Sequence, residues 1–207
     1  MNRTAYYERL KALARAERAK HRLTTRRVML SDLRAIYRAY GITIDLWPGK
    51  LRDLRGAYFS DGCGTSVMIA KRLPPEQRIF TMAHELKHHL TDHAIGASYC
   101  DPSNASEPIE IGAEIFAAEF IFPEQDFADA LTEMGVAHGR CDAEAIVRLK
   151  DRTRTTLSYT SLAKRAEWLG FAPTGSLRTV RWKILAEELL GEPVYKRILR
   201  RRRLTRR

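Results

Sequence analysis

The segment FTMAHELKHHLTDH, residues 80–93, sets His84 and His88 four residues apart, with Glu85 directly after the first. Ile79, Met82, Ala83, Leu86 and Leu90 recur through it at helical spacing, which predicts an amphipathic helix opened by Pro74-Pro75 and running to about Asp92. Four residues make about one helical turn, so both imidazoles share a face on which they can bind one zinc ion. At about 100° per residue that face lies roughly 140–180° from the apolar stripe, so the stripe that docks the helix does not bury the histidines. Glu85 can reach a metal-activated water from the side and take its proton as general base. His89 falls on the other side of the helix and reads as a packing or polar-surface residue.

Hydrolytic zinc needs a third protein ligand and an open position. Residues 107–123, EPIEIGAEIFAAEFIFP, form a helix apolar almost all round, which is the pattern of a buried helix. Glu110 and Glu114 nevertheless sit on one side of it, and buried carboxylates require partners. We assign Glu110 as the third ligand and Glu114 as the acceptor of a hydrogen bond from the far nitrogen of a ligand histidine.

The two motifs together resemble the ImmA/IrrE family of metallo-endopeptidases. That family's second motif is Glu, two residues, Ala, then Asn or Asp, followed by Phe-Ala and a closing Pro. Its ligand glutamate falls on Glu110, its Phe-Ala on Phe116-Ala117 and its proline on Pro123, while Glu114 stands where Asn or Asp is usual. The resemblance covers residues 30–125 well and thins towards 170. It implies an α+β fold, a small zincin-like domain with a short sheet packed on the active-site helix. It also implies Zn2+ as cofactor and a regulatory role: cleavage of a protein partner such as a helix-turn-helix repressor in stress, prophage or mobile-element circuits. Zincins commonly hold substrate as an added strand on an exposed sheet edge, and TSVMIA, residues 65–70, is the expected edge. Tyr58, Tyr99 and His138 are open candidates for stabilising the tetrahedral oxyanion.

The rest of the chain supplies context. ITIDLW, residues 42–47, reads as a strand, and residues 56–60 and 65–70 as a hairpin around Asp61-Gly62-Cys63-Gly64. Residues 93–106 read as a loop. Asp142 and Ser158 are expected to cap helices whose pairing has a helix-turn-helix outline, with Tyr159, Lys164 and Arg165 available to phosphate. These readings divide the chain into a peptidase domain with basic N-terminal helices (1–140), a small helical region (141–175), and an amphipathic helix with an Arg-rich tail (176–207).

Charge is unevenly distributed. The net charge of +11 comprises +8 over residues 1–40, −7 over 41–140, +2 over 141–175 and +8 over 176–207. Basic ends suit a polyanion, and Arg200, Arg201, Arg202 and Arg203 are the expected weak nucleic-acid contact. A second class of function follows: a DNA-binding regulator or sensor whose zincin region is a non-catalytic scaffold. Cys63, Cys100 and Cys141 are odd in number and widely spaced, which argues against a disulfide framework or a cysteine zinc site. No apolar run is long enough to span a membrane, and the N-terminal stretch lacks a signal-peptide core, so a cytoplasmic protein is expected.

Overall fold

The computed structural model describes residues 2–48, 55–62, 64–93, 97–99 and 107–193. They form eight helices and four strands: α1 (Arg3–Lys20), α2 (Leu30–Ala39), β1 (Ile42–Trp47), β2 (Gly56–Asp61), β3 (Gly64–Ala70), α3 (Pro75–Thr91), β4 (Ala97–Tyr99), α4 (Pro108–Ile121), α5 (Glu124–Glu133), α6 (Ala143–Thr153), α7 (Tyr159–Trp168) and α8 (Trp182–Leu190). The chain divides into two units, one of Met1–Phe127 with Thr153–Leu157, the other of Ala128–Arg152 with Ser158–Arg207.

In the first unit the strands run in the order β1-β3-β2-β4. The expected hairpin is present: β2 and β3 pair antiparallel from Gly56↔Ile69 to Asp61↔Gly64. Gly64 sits in the turn at φ +134°, a conformation that L side chains rarely adopt. β1 pairs parallel with the other side of β3, and β4 pairs antiparallel with β2. The expectation that residues 65–70 form the exposed edge is therefore wrong. β3 is an inner strand, and its burial alternates because one face packs on α3. Strand β4 lies within the stretch read as a loop; three residues are too few to show a period.

Helix α3 is fixed from several directions. Tyr37 of α2, fully buried, donates its hydroxyl to the Met82 carbonyl at 2.7 Å. The stripe residues Ile79, Met82, Ala83 and Leu86 are buried as expected, and α4 also packs on α3. α4 is in turn packed by α1. Here the basic N-terminus takes on internal work. Arg15 pairs with the buried Glu119 at 2.8 Å, and Lys11 pairs with Glu124 at 2.8 Å. Arg18 donates to the Phe120 carbonyl at 2.7 Å and to the Thr25 carbonyl at 2.8 Å. Three of the N-terminal cations are thus committed inside the unit.

In the second unit Asp142 caps α6 through the Ala145 amide and Ser158 caps α7 through the Ser161 amide, as expected. Leu162, Ala163 and Ala166 are buried along α7. Of the three residues expected to face phosphate, only Lys164 is exposed. Arg165 is buried, and the Tyr159 ring stacks on Trp182. His138 stacks on Phe171 with ring centroids 4.1 Å apart. No helix among the described residues is long and apolar enough to cross a membrane.

Arg18 tests the commitment of the N-terminal cations. Arg18→Met keeps much of the side chain's volume but leaves two carbonyls without their donor. It is expected to cost about 1–3 kcal/mol of stability, read by urea unfolding.

Candidate metal centre and active site

Local chemistry explains why the donors converge. Pro74-Pro75 opens α3 with a fixed φ at a position where no backbone donor is needed, and α3 then carries His84 and His88 one turn apart. Pro108 opens α4 in the same way and places Glu110 in its first turn, where the helix dipole favours a carboxylate. His84 Nε2 lies 3.1 Å from Glu110 Oε2 and 3.3 Å from His88 Nε2, and His88 Nε2 lies 3.7 Å from Glu110 Oε1. All three residues are buried, and one donor atom from each falls within 4.8 Å of the others. Three donors about 2.0–2.1 Å from one tetrahedral ion stand about 3.3–3.4 Å apart. The observed separations bracket that figure, so this nitrogen, nitrogen and oxygen set fits a metal ion.

The nitrogen of His88 that faces away from the cluster, Nδ1, donates to Asp92 Oδ2 at 2.8 Å. Since a carboxylate accepts, Nδ1 carries a proton, which leaves Nε2 as the nitrogen that would ligate an ion. Asp92 performs the task assigned above to Glu114, and that assignment is corrected. Glu114 is exposed. Four residues beyond Glu110 is about 6 Å along the axis with a further rotation of about 40°, which carries Glu114 away from the histidines. Asp92, by contrast, caps the helix one turn after His88. Its legible signal was the i, i+4 spacing from His88.

Glu85 lies on the adjoining face and is 1% exposed. Its Oε2 is buried with no hydrogen-bond partner. Burial pushes its carboxyl up to about 7, against the pull of His84 and His88 and helped by Glu110. Glu110 behaves oppositely. Burial raises it, but hydrogen bonds from His84 and His88 outweigh burial and hold it well below the usual carboxylate range. Two carboxylates in one space are therefore driven apart in acidity, the pattern of a fixed anion beside a proton carrier. Gly56, unremarked in the sequence, makes room for this. A Cβ there would stand 2.5 Å from Thr81 Cγ2 and 2.7 Å from Glu85 Oε1.

Tyr58 is buried with its hydroxyl 3.3 Å from His89 Nδ1, so His89 is a packing residue as expected and Tyr58 is engaged with it. His138 belongs to the second unit. Tyr99 lies in β4, and its side chain is outside what the structure describes. Arg200, Arg201, Arg202 and Arg203 lie outside the described residues.

Residues 38–167 match the model of the peptidase family M78, described as the IrrE N-terminal-like domain. The matched span takes in the histidines, Glu85 and Glu110 and covers more than half of the chain. Among curated proteins the chain has no match.

Gly56→Ala tests the close approach of strand and helix. Its methyl group meets two buried side chains, Thr81 and Glu85, and is expected to cost about 1–3 kcal/mol in chemical unfolding, with the loss relieved by a further Thr81→Ser.

Proposed function

This chain belongs to the IrrE N-terminal-like family of metallopeptidases, and on that premise we propose that it is a zinc-dependent endopeptidase that cuts a protein partner. His84, His88 and Glu110 would hold the ion. When bound there, zinc supplies a Lewis acid that raises the acidity of water and polarises a carbonyl. The chain's own chemistry centres on Glu85, and the observation that carries the reading is its buried, unpartnered Oε2 beside the three donors. Burial makes the Glu85 carboxylate more basic than an exposed one, which suits a group that must accept and return a proton. Glu85 takes a proton from the attacking water as the water oxygen bonds to the scissile carbonyl carbon. It then passes that proton to the amine as the carbon–nitrogen bond breaks. Asp92 keeps His88 in the tautomer that presents Nε2.

The partner we propose is a helix-turn-helix transcriptional repressor, cut in the cytoplasm as part of a stress or mobile-element circuit. This reading is supported by the family resemblance of the two motifs. The peptidase domain would occupy residues 1–140, with the helical region 141–175 and the basic segment 176–207 serving the partner or weak DNA contact.

Co-expression with a repressor encoded beside it provides the test. The wild-type chain is expected to yield a cleavage product and to purify with one zinc ion. Replacing both His84 and His88 with alanine should remove the metal. Glu85→Gln keeps the size and loses the base, so it should retain zinc while cleavage falls by at least about 10²-fold. Full regulatory function in cells with Glu85→Gln would favour the scaffold reading instead. For the basic tail, deletion of residues 196–207 is expected to abolish low-salt retention on DNA, and unchanged retention would exclude it as the contact.

A further inference from the structure

Within H-E-x-x-H, Lys87 directly precedes His88 and is 0% exposed. An ammonium without water must be paired, and Lys87 Nζ donates at 2.6 Å to Asp92 Oδ2 and at 3.0 Å to the Ile109 carbonyl. The first partner is the carboxylate that accepts from His88 Nδ1, and both donors meet the same oxygen. The second is the peptide immediately before Glu110, in the first turn of α4. One buried cation therefore joins the end of α3 to the start of α4 at the two points from which His88 and Glu110 project.

We propose that Lys87 is a positioning residue that sets metal affinity, holding Asp92 against His88 and the Ile109 peptide beside Glu110 so that two of the three ligands are in place before the ion arrives. This rests on the reading of His84, His88 and Glu110 as the ligands. Two donors on one Asp92 oxygen hold that carboxylate against His88, which fixes the imidazole's tautomer and rotation. The contact to Ile109 restrains the turn that carries Glu110. Without the lysine, Asp92 loses its ion pair, and the ion must order both ligands itself, at the expense of affinity.

The test is zinc affinity of the full chain, measured by competition with a chromophoric chelator, for wild type, Lys87→Met, Asp92→Asn, the double variant and His84→Ala. Circular dichroism reports folding in each. Lys87→Met and Asp92→Asn are each expected to weaken zinc binding by about 10–100-fold. Because the lysine acts largely through Asp92, the double variant should lose clearly less than the product of the two single losses. A lysine that merely stabilised the fold would give no such coupling. Wild-type affinity in Lys87→Met, or a double loss equal to the product, would overturn the proposal. Undiminished zinc binding in His84→Ala would instead remove the metal-site reading on which it rests. Zinc lost in His84→Ala but retained in Lys87→Met sinks the lysine's role alone. If Lys87→Met does not fold, Lys87→Gln keeps a donor for the Ile109 carbonyl and is read against the same thresholds.

Discussion

Two imidazoles and two carboxylates are buried close together in the first unit, and much of that unit is arranged to hold them there. His84, His88, Glu85 and Glu110 are each no more than 5% exposed. Removing an ionised carboxylate from water costs several kcal/mol unless partners replace the lost hydration. Glu110 has two histidines as partners, whereas Glu85 has none for Oε2 and moves towards its neutral form instead. The difference between those two solutions separates a residue suited to bind an ion from one suited to carry a proton.

Holding such a cluster requires a rigid surround, and the surround explains features remote from it. α4 cannot be buried on α3 alone, because it is apolar almost all round; α1 packs on it as well. Glu119 of α4 is met by Arg15, and its other oxygen accepts from the Glu124 amide at the start of α5. The sheet contributes the opposite requirement, a place with no side chain. Gly56 at the first position of β2 is where Glu85 and Thr81 come closest.

The histidine pair, Glu85, Glu110 and most helices were legible because each rests on short-range spacing that needs no knowledge of the fold. The i, i+4 histidines, the prolines that open α3 and α4, and the apolar stripe of α3 are properties of single segments. What was not legible depended on pairing between segments. β3 looked like an edge because nothing local to residues 65–70 announces that β1, more than 20 residues earlier, will lie parallel beside it. Glu114 looked like a partner for histidine because helical spacing gives a face but not where a neighbouring helix ends. Arg15 and Arg18 were counted simply as part of a basic end, since a charge count does not reveal a buried carboxylate and a carbonyl on a helix more than 100 residues away.

The claim on which the account turns is that the two histidines and Glu110 are the ion's ligands while Glu85 stands beside it unligated. Anomalous diffraction at the zinc absorption edge, on crystals of the chain as purified, addresses both halves at once. The account predicts one anomalous peak about 2 Å from His84 Nε2, His88 Nε2 and a Glu110 oxygen, with Glu85 outside bonding distance. A zinc-containing crystal with no peak there, or one with Glu85 as a ligand in place of Glu110, would contradict it.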